Sequence, residues 1–125
     1  MPSQFRRSHL RVDRVEDVTV VRFTTADLGE AHMQAAAEEL NALVDGLVRP
    51  RLRLDFGAVR FLTSTALGKL VTLHRRVRAA GGRLVLVNLT DLVYEVFEVS
   101  RLTEVLDVRR APGGDHFSSA PALAS

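Results

Sequence analysis

Residues 54–68 read LDFGAVRFLTSTALG, and they carry the clearest sign of the architecture of this chain. Their first residues finish a strand, because Leu52, Leu54 and Phe56 alternate with polar residues and would share one side of a sheet. Their last residues begin a helix at Ser64, where the run Thr-Ser-Thr supplies the hydroxyl groups that favour a first turn. A strand, a short loop and a helix in this order predict one unit of an α/β fold.

Further strands and helices are predicted on both sides of this stretch. Apolar alternation and helical spacing predict a hairpin over 10–24, helices over about 30–47, 64–80 and 91–100, strands over 51–56 and 83–88, a last edge strand over 106–109, and loops over 24–29 and 57–63. The order β-β-α-β-α-β-α(-β) predicts an α/β fold whose mixed β-sheet is parallel at its centre, with helices packed on it.

Three details of packing follow from the same patterns. The apolar residues Val59, Phe61 and Leu62 indicate that the loop before the second helix packs beneath that helix. Four adjacent apolar residues at 84–87 indicate a strand that is buried on both faces. His74 falls on the inner stripe of the second helix, where a satisfied core or boundary histidine is expected more often than a ligand.

The composition fits one small cytoplasmic domain. The chain has 125 residues, 46% of them apolar, and 17 basic residues against 15 acidic ones, for a formal net charge of +2. Charges of both signs are interspersed, which argues against a nucleic-acid partner. Without cysteine, a secretory signal or an apolar run of membrane-spanning length, we expect a cytoplasmic protein with no disulfides and no membrane insertion. The predicted division is a flexible N-terminus over 1–8, a domain over 9–110 and a disordered tail over 111–125.

The sequence lacks a constellation typical of catalysis or metal binding. None of the four histidines lies at a spacing that would place two ligands on one face of a helix. Ser64 follows a strand and opens a helix, but Leu62 and Ala66 stand where a GxSxG nucleophile elbow has glycines. We therefore predict a protein that is not an enzyme, with no catalytic residues, no metal and no cofactor. A small hydrolase that uses Ser64 is kept as an alternative.

The hydroxyl residues 63–65 have two compatible interpretations. One of their side chains is expected to cap the second helix by accepting a hydrogen bond from a free backbone N–H of the first turn. The other interpretation is regulatory phosphorylation, which would add about two negative charges at an exposed surface. A phosphate at the positive end of a helix dipole need not damage the fold.

On these residues the chain resembles the STAS domains of anti-sigma factor antagonists. Residues 54–68 are similar to the LDL-like strand end, the loop and the Asp-Ser-Ser-Gly-Leu-Gly motif of that family. Residues 78–88, RAAGGRLVLVN, resemble its helix end, double glycine and central strand, and residues 94–102 resemble its next helix and corner. The resemblance covers about residues 10–108.

The resemblance implies a protein-binding module. Antagonists of this family bind an anti-sigma factor that is also a serine kinase; phosphorylation of a motif serine breaks the complex, and a serine phosphatase restores it. That serine matches Ser64, with Thr65 and Thr63 as alternative acceptors. The docking surface is expected around the first turn of the second helix, and it comprises Asp27, Phe61, Thr63, Ser64, Thr65 and Lys69.

Two residues depart from the motif of the family. Thr63 replaces its Asp and removes a negative charge beside the acceptor, and Ala66 replaces its Gly and adds a methyl where a partner backbone is expected to approach. A STAS scaffold or adaptor that is never phosphorylated, within a signalling or transporter complex, is therefore the alternative function.

Overall fold

The computed structural model describes residues 10–112, and the apolar patterns of this stretch form the main elements in the predicted order. The strands are β1 (Leu10–Val15), β2 (Val18–Phe23), β3 (Asp27–Leu28), β4 (Arg51–Asp55), β5 (Phe61–Leu62), β6 (Arg83–Leu89) and β7 (Asp107–Arg110). The α-helices are α1 (Glu30–Asp45), α2 (Ser64–Ala79) and α3 (Asp91–Val99), and a 3₁₀ turn spans Leu102–Glu104. The predicted flexible N-terminus and nearly all of the predicted disordered tail fall in residues 1–9 and 113–125, outside the described part of the chain.

The large sheet has the strand order β1-β2-β4-β6-β7. β1 and β2 form the predicted antiparallel hairpin, and the pairs β2–β4, β4–β6 and β6–β7 are parallel. Parallel neighbours need crossover connections, which α1, α2 and α3 supply in turn. The predicted α/β fold, a mixed sheet with a parallel centre, is confirmed.

One face of this sheet carries the hydrophobic core. Leu54 and Leu86 are partners in the β4–β6 register, so both side chains point to that face. The ring of Phe56, just after β4, lies 4.8 Å from the ring of Phe23 and 6.2 Å from the ring of Phe97 on α3. Full burial of one such side chain contributes about 1.5–3 kcal/mol to stability. The three helices add their buried residues to the same core: Met33, Ala36, Leu40, Val44, Ala66, Leu67, Leu70, Leu73, Val77, Val93 and Phe97.

The opposite face of the large sheet is open. Leu84 and Leu86 are buried, whereas Val85 and Val87 stay partly exposed. The prediction that residues 84–87 are buried on both faces is therefore wrong, because all three helices pack on one side of the sheet.

Two short strands lie in regions predicted as loops. β3 and β5 pair in parallel, with Asp27 opposite Phe61 and Leu28 opposite Leu62. Leu28 and Leu62 are buried, but 55% of Phe61 is exposed. The prediction of a loop packed beneath α2 is correct for Val59 and Leu62 and wrong for Phe61, because alternation along β5 turns Phe61 outward when Leu62 points inward.

The double glycine ends α2 as predicted. Gly81 has φ of 78°, a left-handed conformation that suits the end of a helix. The N–H of Gly82 donates to the carbonyl of Val77 at 2.9 Å, and the N–H of Arg83 donates to the carbonyl of Pro50 at 2.8 Å. These bonds join the end of α2 to the starts of β4 and β6.

His74 lies at the boundary of the core. Leu73 is fully packed on the inner side of α2, while His74 is only half-buried. The expected boundary position of His74 therefore agrees with the structure, but no protein group within residues 10–112 makes a hydrogen bond to its buried Nδ1. Burial lowers the pKa of His74, and the positive charges of Arg78 and Arg75 lower it further.

Candidate functional site

The first turn of α2 displays the hydroxyl residues 63–65. Thr63 has an extended backbone, with φ of −94° and ψ of 169°, and its Oγ1 accepts a hydrogen bond from the N–H of Ala66 at 3.2 Å. Thr63 is therefore the helix cap. Ser64 and Thr65 are exposed, and within the described chain the side chain of Ser64 has no hydrogen-bond partner. The capping prediction is confirmed, and the cap leaves the hydroxyl of Ser64 unused.

The sheet of β3 and β5 places Asp27 and Phe61 at the same end of the domain as this turn. The N–H of Phe61 donates to the carbonyl of Ala26 at 3.1 Å, and the N–H of Thr63 donates to the carbonyl of Leu28 at 3.4 Å. These bonds attach the segment before α2 to the segment before α1. The small sheet thus holds Asp27 of β3 and Phe61 of β5 beside the start of α2, which carries Ser64, Thr65 and Lys69.

Asp27 also has a structural role at the start of α1. Its Oδ1 accepts a hydrogen bond from the N–H of Gly29 at 2.7 Å, and its carbonyl oxygen lies 2.8 Å from Nδ1 of His32. Gly29, the cap residue of α1, has no side chain to accept a hydrogen bond. The Asp27 carboxylate therefore helps to fix the loop that leads into this helix.

Lys69 does not share a face of α2 with Ser64. A separation of five residues corresponds to about 140° around the helix axis. Lys69 follows Thr65 by four residues, which places these two side chains on neighbouring turns of one face. Lys69 is half-buried, and Thr65 is exposed.

Ala66 is fully buried. Its methyl group packs into the core and is not displayed where a partner would approach. The expectation that this methyl would meet a partner backbone is therefore wrong, because position 66 lies on the inner face of α2.

A polar cluster at the carboxyl ends of β4 and β6 was not predicted. Oδ1 of Asp55 accepts hydrogen bonds from the N–H of Gly57 at 2.8 Å and from Nδ2 of Asn88 at 3.1 Å, and Oδ2 lies 3.4 Å from Nε of Arg22. Asn88 has φ of 67°, next to an irregularity in the β6–β7 pairing. The cluster fixes the loop that leads from β4 to α2. An Asp followed two residues later by Gly is a signal that could have indicated this turn.

Neither a metal-binding cluster nor a membrane-spanning helix is present in residues 10–112. That stretch contains no group of three or more histidine, aspartate or glutamate side chains able to hold a metal ion. Within it, every helix is too short or too polar to cross a membrane.

Curated relatives are similar to this chain in sequence, and solved structures share its architecture. An anti-sigma-B factor antagonist of Listeria monocytogenes is 30% identical over 77 residues, which span 62% of this chain and 65% of the relative. The protein of the same name from Listeria innocua matches to the same extent. An anti-sigma-factor antagonist (STAS) domain protein from Planctomyces limnophilus superimposes with a TM-score of 0.74 at 24% identity, over 81% of this chain and 89% of that one.

The phosphorylated form of the Bacillus cell fate determinant SpoIIAA superimposes with a TM-score of 0.61 at 19% identity, over 79% of this chain and 89% of that one. At these identities the solved structures show a shared fold. The family model of the STAS domain matches residues 9–113. The match spans most of the sequence and agrees with the observed sheet and helices, and the chain therefore belongs to the STAS domain family.

Proposed function

We propose that this protein is an anti-sigma factor antagonist that binds an anti-sigma factor serine kinase and is switched by phosphorylation of Ser64. One observation carries the proposal: Ser64 is an exposed, unbonded hydroxyl in the first turn of α2, while Thr63 makes the capping bond. A kinase can therefore reach the Oγ of Ser64 without breaking the bond that starts the helix. The names of the Listeria relatives support the same function.

The position of Ser64 suits a phosphate. The first turn of α2 contains no acidic residue, so a phosphoryl group would meet the positive end of the helix dipole without a negative neighbour in that turn. The modification would change the surface charge by about two units while the helix is kept. Thr65 is also exposed and is the second candidate. Thr63 is less suitable, because modification of its Oγ1 would compete with the cap.

Phe61 gives the proposed docking surface an apolar anchor. Phe61 is 55% exposed, whereas Phe23, Phe56 and Phe97 are fully buried. Aromatic side chains often dominate the binding energy of protein interfaces. Phe61, together with Asp27 and Thr65, would surround the phosphate-accepting hydroxyl and contact the kinase, and Lys69 would contact the kinase from the neighbouring face of α2.

The proposal also defines the setting in which the protein acts. A kinase that uses ATP and controls a sigma factor implies a cytoplasmic protein, and a reversible switch implies a serine phosphatase. The antagonist itself then needs no catalytic group, cofactor or metal.

The test uses the anti-sigma factor kinase encoded in the same genome, with radiolabelled ATP. We expect phosphate on Ser64 that is lost in Ser64→Ala and retained in Thr65→Ala. Ser64→Asp is expected to weaken the complex at least about tenfold, because it places a charge at the interface. Leu92→Ala, an exposed substitution on α3, is the control and should bind like the wild type. Binding of Ser64→Asp within about twofold of the wild type would remove Ser64 as the control point.

A scaffold that is never phosphorylated is the alternative, and Thr63 in place of the motif Asp favours it. The same experiment separates the two functions, because a scaffold would bind the partner without incorporating phosphate. A small hydrolase is tested by esterase activity, which would have to be present in the wild type and lost in Ser64→Ala.

A further inference from the structure

Four arginines meet on the open face of the large sheet, although they are far apart in the sequence. Arg51 and Arg53 lie on β4, Arg83 on β6 and Arg109 on β7, and all four line a cleft of about 190 Å³ that we call the arginine cleft. The cleft lies at the amino ends of β4 and β6. It is therefore at the opposite end of the sheet from Ser64, because α2 is reached from the carboxyl end of β4.

The strand register brings like charges together in this cleft. Arg51 and Arg83 are direct partners in the β4–β6 pairing, and like charges at such positions destabilise a sheet. Asp17 lies 2.9 Å from Arg51, and Asp107 lies 2.7 Å from Arg83. These carboxylates reduce the repulsion between the two arginines.

The carboxylates do not neutralise the whole cleft. Asp107 is shared, because its Oδ1 also lies 3.2 Å from Nε of Arg109. Arg53 has no ion-pair partner among residues 10–112. The arginine cleft thus has four guanidinium groups facing two carboxylates, and an added anion would lower its electrostatic energy.

The chemistry of the cleft matches an acidic segment of a protein better than a nucleic acid. Guanidinium groups bind carboxylates through paired hydrogen bonds. Between the arginines lie Val18 and Val85, which can contact apolar side chains. None of the residues that line the cleft is aromatic, so it offers no surface on which a base could stack. We propose that the arginine cleft docks an extended acidic segment of a second protein, in which carboxylate and apolar side chains alternate.

The test measures fluorescence anisotropy of a labelled peptide of alternating glutamate and valine. We expect the wild type to bind this peptide, the affinity to fall as salt is added, and Arg53→Gln to weaken binding about tenfold. Arg75→Gln, which removes an exposed arginine of α2, is the matched control and should bind like the wild type. Thermal unfolding of both variants checks that their fold is intact.

Three outcomes would overturn the proposal. The first is no binding of the acidic peptide by the wild type, and the second is an equal loss in Arg53→Gln and Arg75→Gln. The third is that the wild type binds a single-stranded oligonucleotide more tightly than the acidic peptide and that Arg53→Gln abolishes this binding, which would identify a nucleic-acid site. Ser64→Asp should leave peptide binding unchanged, so that this surface is tested separately from the switch at α2.

Discussion

Replacement of Gly82 by alanine tests how tightly the end of α2 is attached to β4. A Cβ at this position would lie 1.9 Å from the carbonyl oxygen of Pro50 and 2.8 Å from its carbonyl carbon. Neither atom can rotate away, because both belong to the backbone. To reach an ordinary contact of about 3.5 Å, the two segments would have to move apart by roughly 1.5 Å.

That movement would break two short hydrogen bonds. The N–H of Arg83 donates to Pro50 at 2.8 Å, and the N–H of Gly82 donates to Val77 at 2.9 Å. A buried group that loses its partner costs about 1–3 kcal/mol. We expect Gly82→Ala to lower the free energy of unfolding by about 3 kcal/mol or more, a large part of the total of about 5–15 kcal/mol of a typical domain. The melting temperature should fall by on the order of 12–24 °C.

Urea unfolding followed by circular dichroism measures this loss, and Gly81→Ala is the control. Gly81 has φ of 78°, but the nearest atom to an added Cβ is Cγ of Arg49, at 3.6 Å and on a flexible side chain. Its replacement should cost only the strain of a left-handed alanine, about 1–2 kcal/mol. If Gly82→Ala proves less destabilising than Gly81→Ala, the close approach to Pro50 does not control stability here.

Four further substitutions test the helix cap, the half-buried His74 and the exposed surface of α2. Thr63→Ala should lower stability by about 1 kcal/mol and Ser64→Ala by less than about 0.5 kcal/mol, both by urea unfolding; the reverse ranking would contradict the assignment of the cap. His74 has a folded pKa below its ordinary value of 6.5, so its neutral form stabilises the fold above that pH, and stability falls as the pH drops through the folded pKa. His74→Phe should remove this component of the pH dependence, and an unchanged dependence in that variant would refute the account. A Cβ added at Gly68 would have no atom within 4 Å, so Gly68→Ala should stabilise α2 by about 0.5–1 kcal/mol. A lower melting temperature of this variant would contradict the expectation that the added methyl group has free space.

The main elements could be predicted because each is long enough for its apolar residues to repeat at the spacing of a strand or of a helix. Leu52 and Leu54 of β4 and Phe56 just after it alternate with polar residues, and the double glycine marks the end of α2 because Gly81 can adopt a positive φ. β3 and β5 could not be predicted in this way. Each has two residues, too few for a period, and they exist because segments far apart in the sequence pair with each other.

The sequence was sufficient to predict that the candidate site lies at the start of α2, but not which side chains do what there. A run of three hydroxyl residues indicates a cap, but only the folded structure shows that Thr63 makes the bond and that Ser64 stays exposed. The outward direction of Phe61 depends on the pairing of β5, which local sequence does not reveal. The arginine cleft depends on the register between β4 and β6, whose residues Arg51 and Arg83 are far apart along the chain.

Orthologous genes can vary at codon 64 without losing the fold, because a different residue, Thr63, closes the first turn of α2. Exchange of serine for threonine, alanine or aspartate there is expected to leave the folding equilibrium nearly unchanged. Natural variation at this codon should therefore reflect selection on the function of the exposed first turn of α2, and not selection for thermostability.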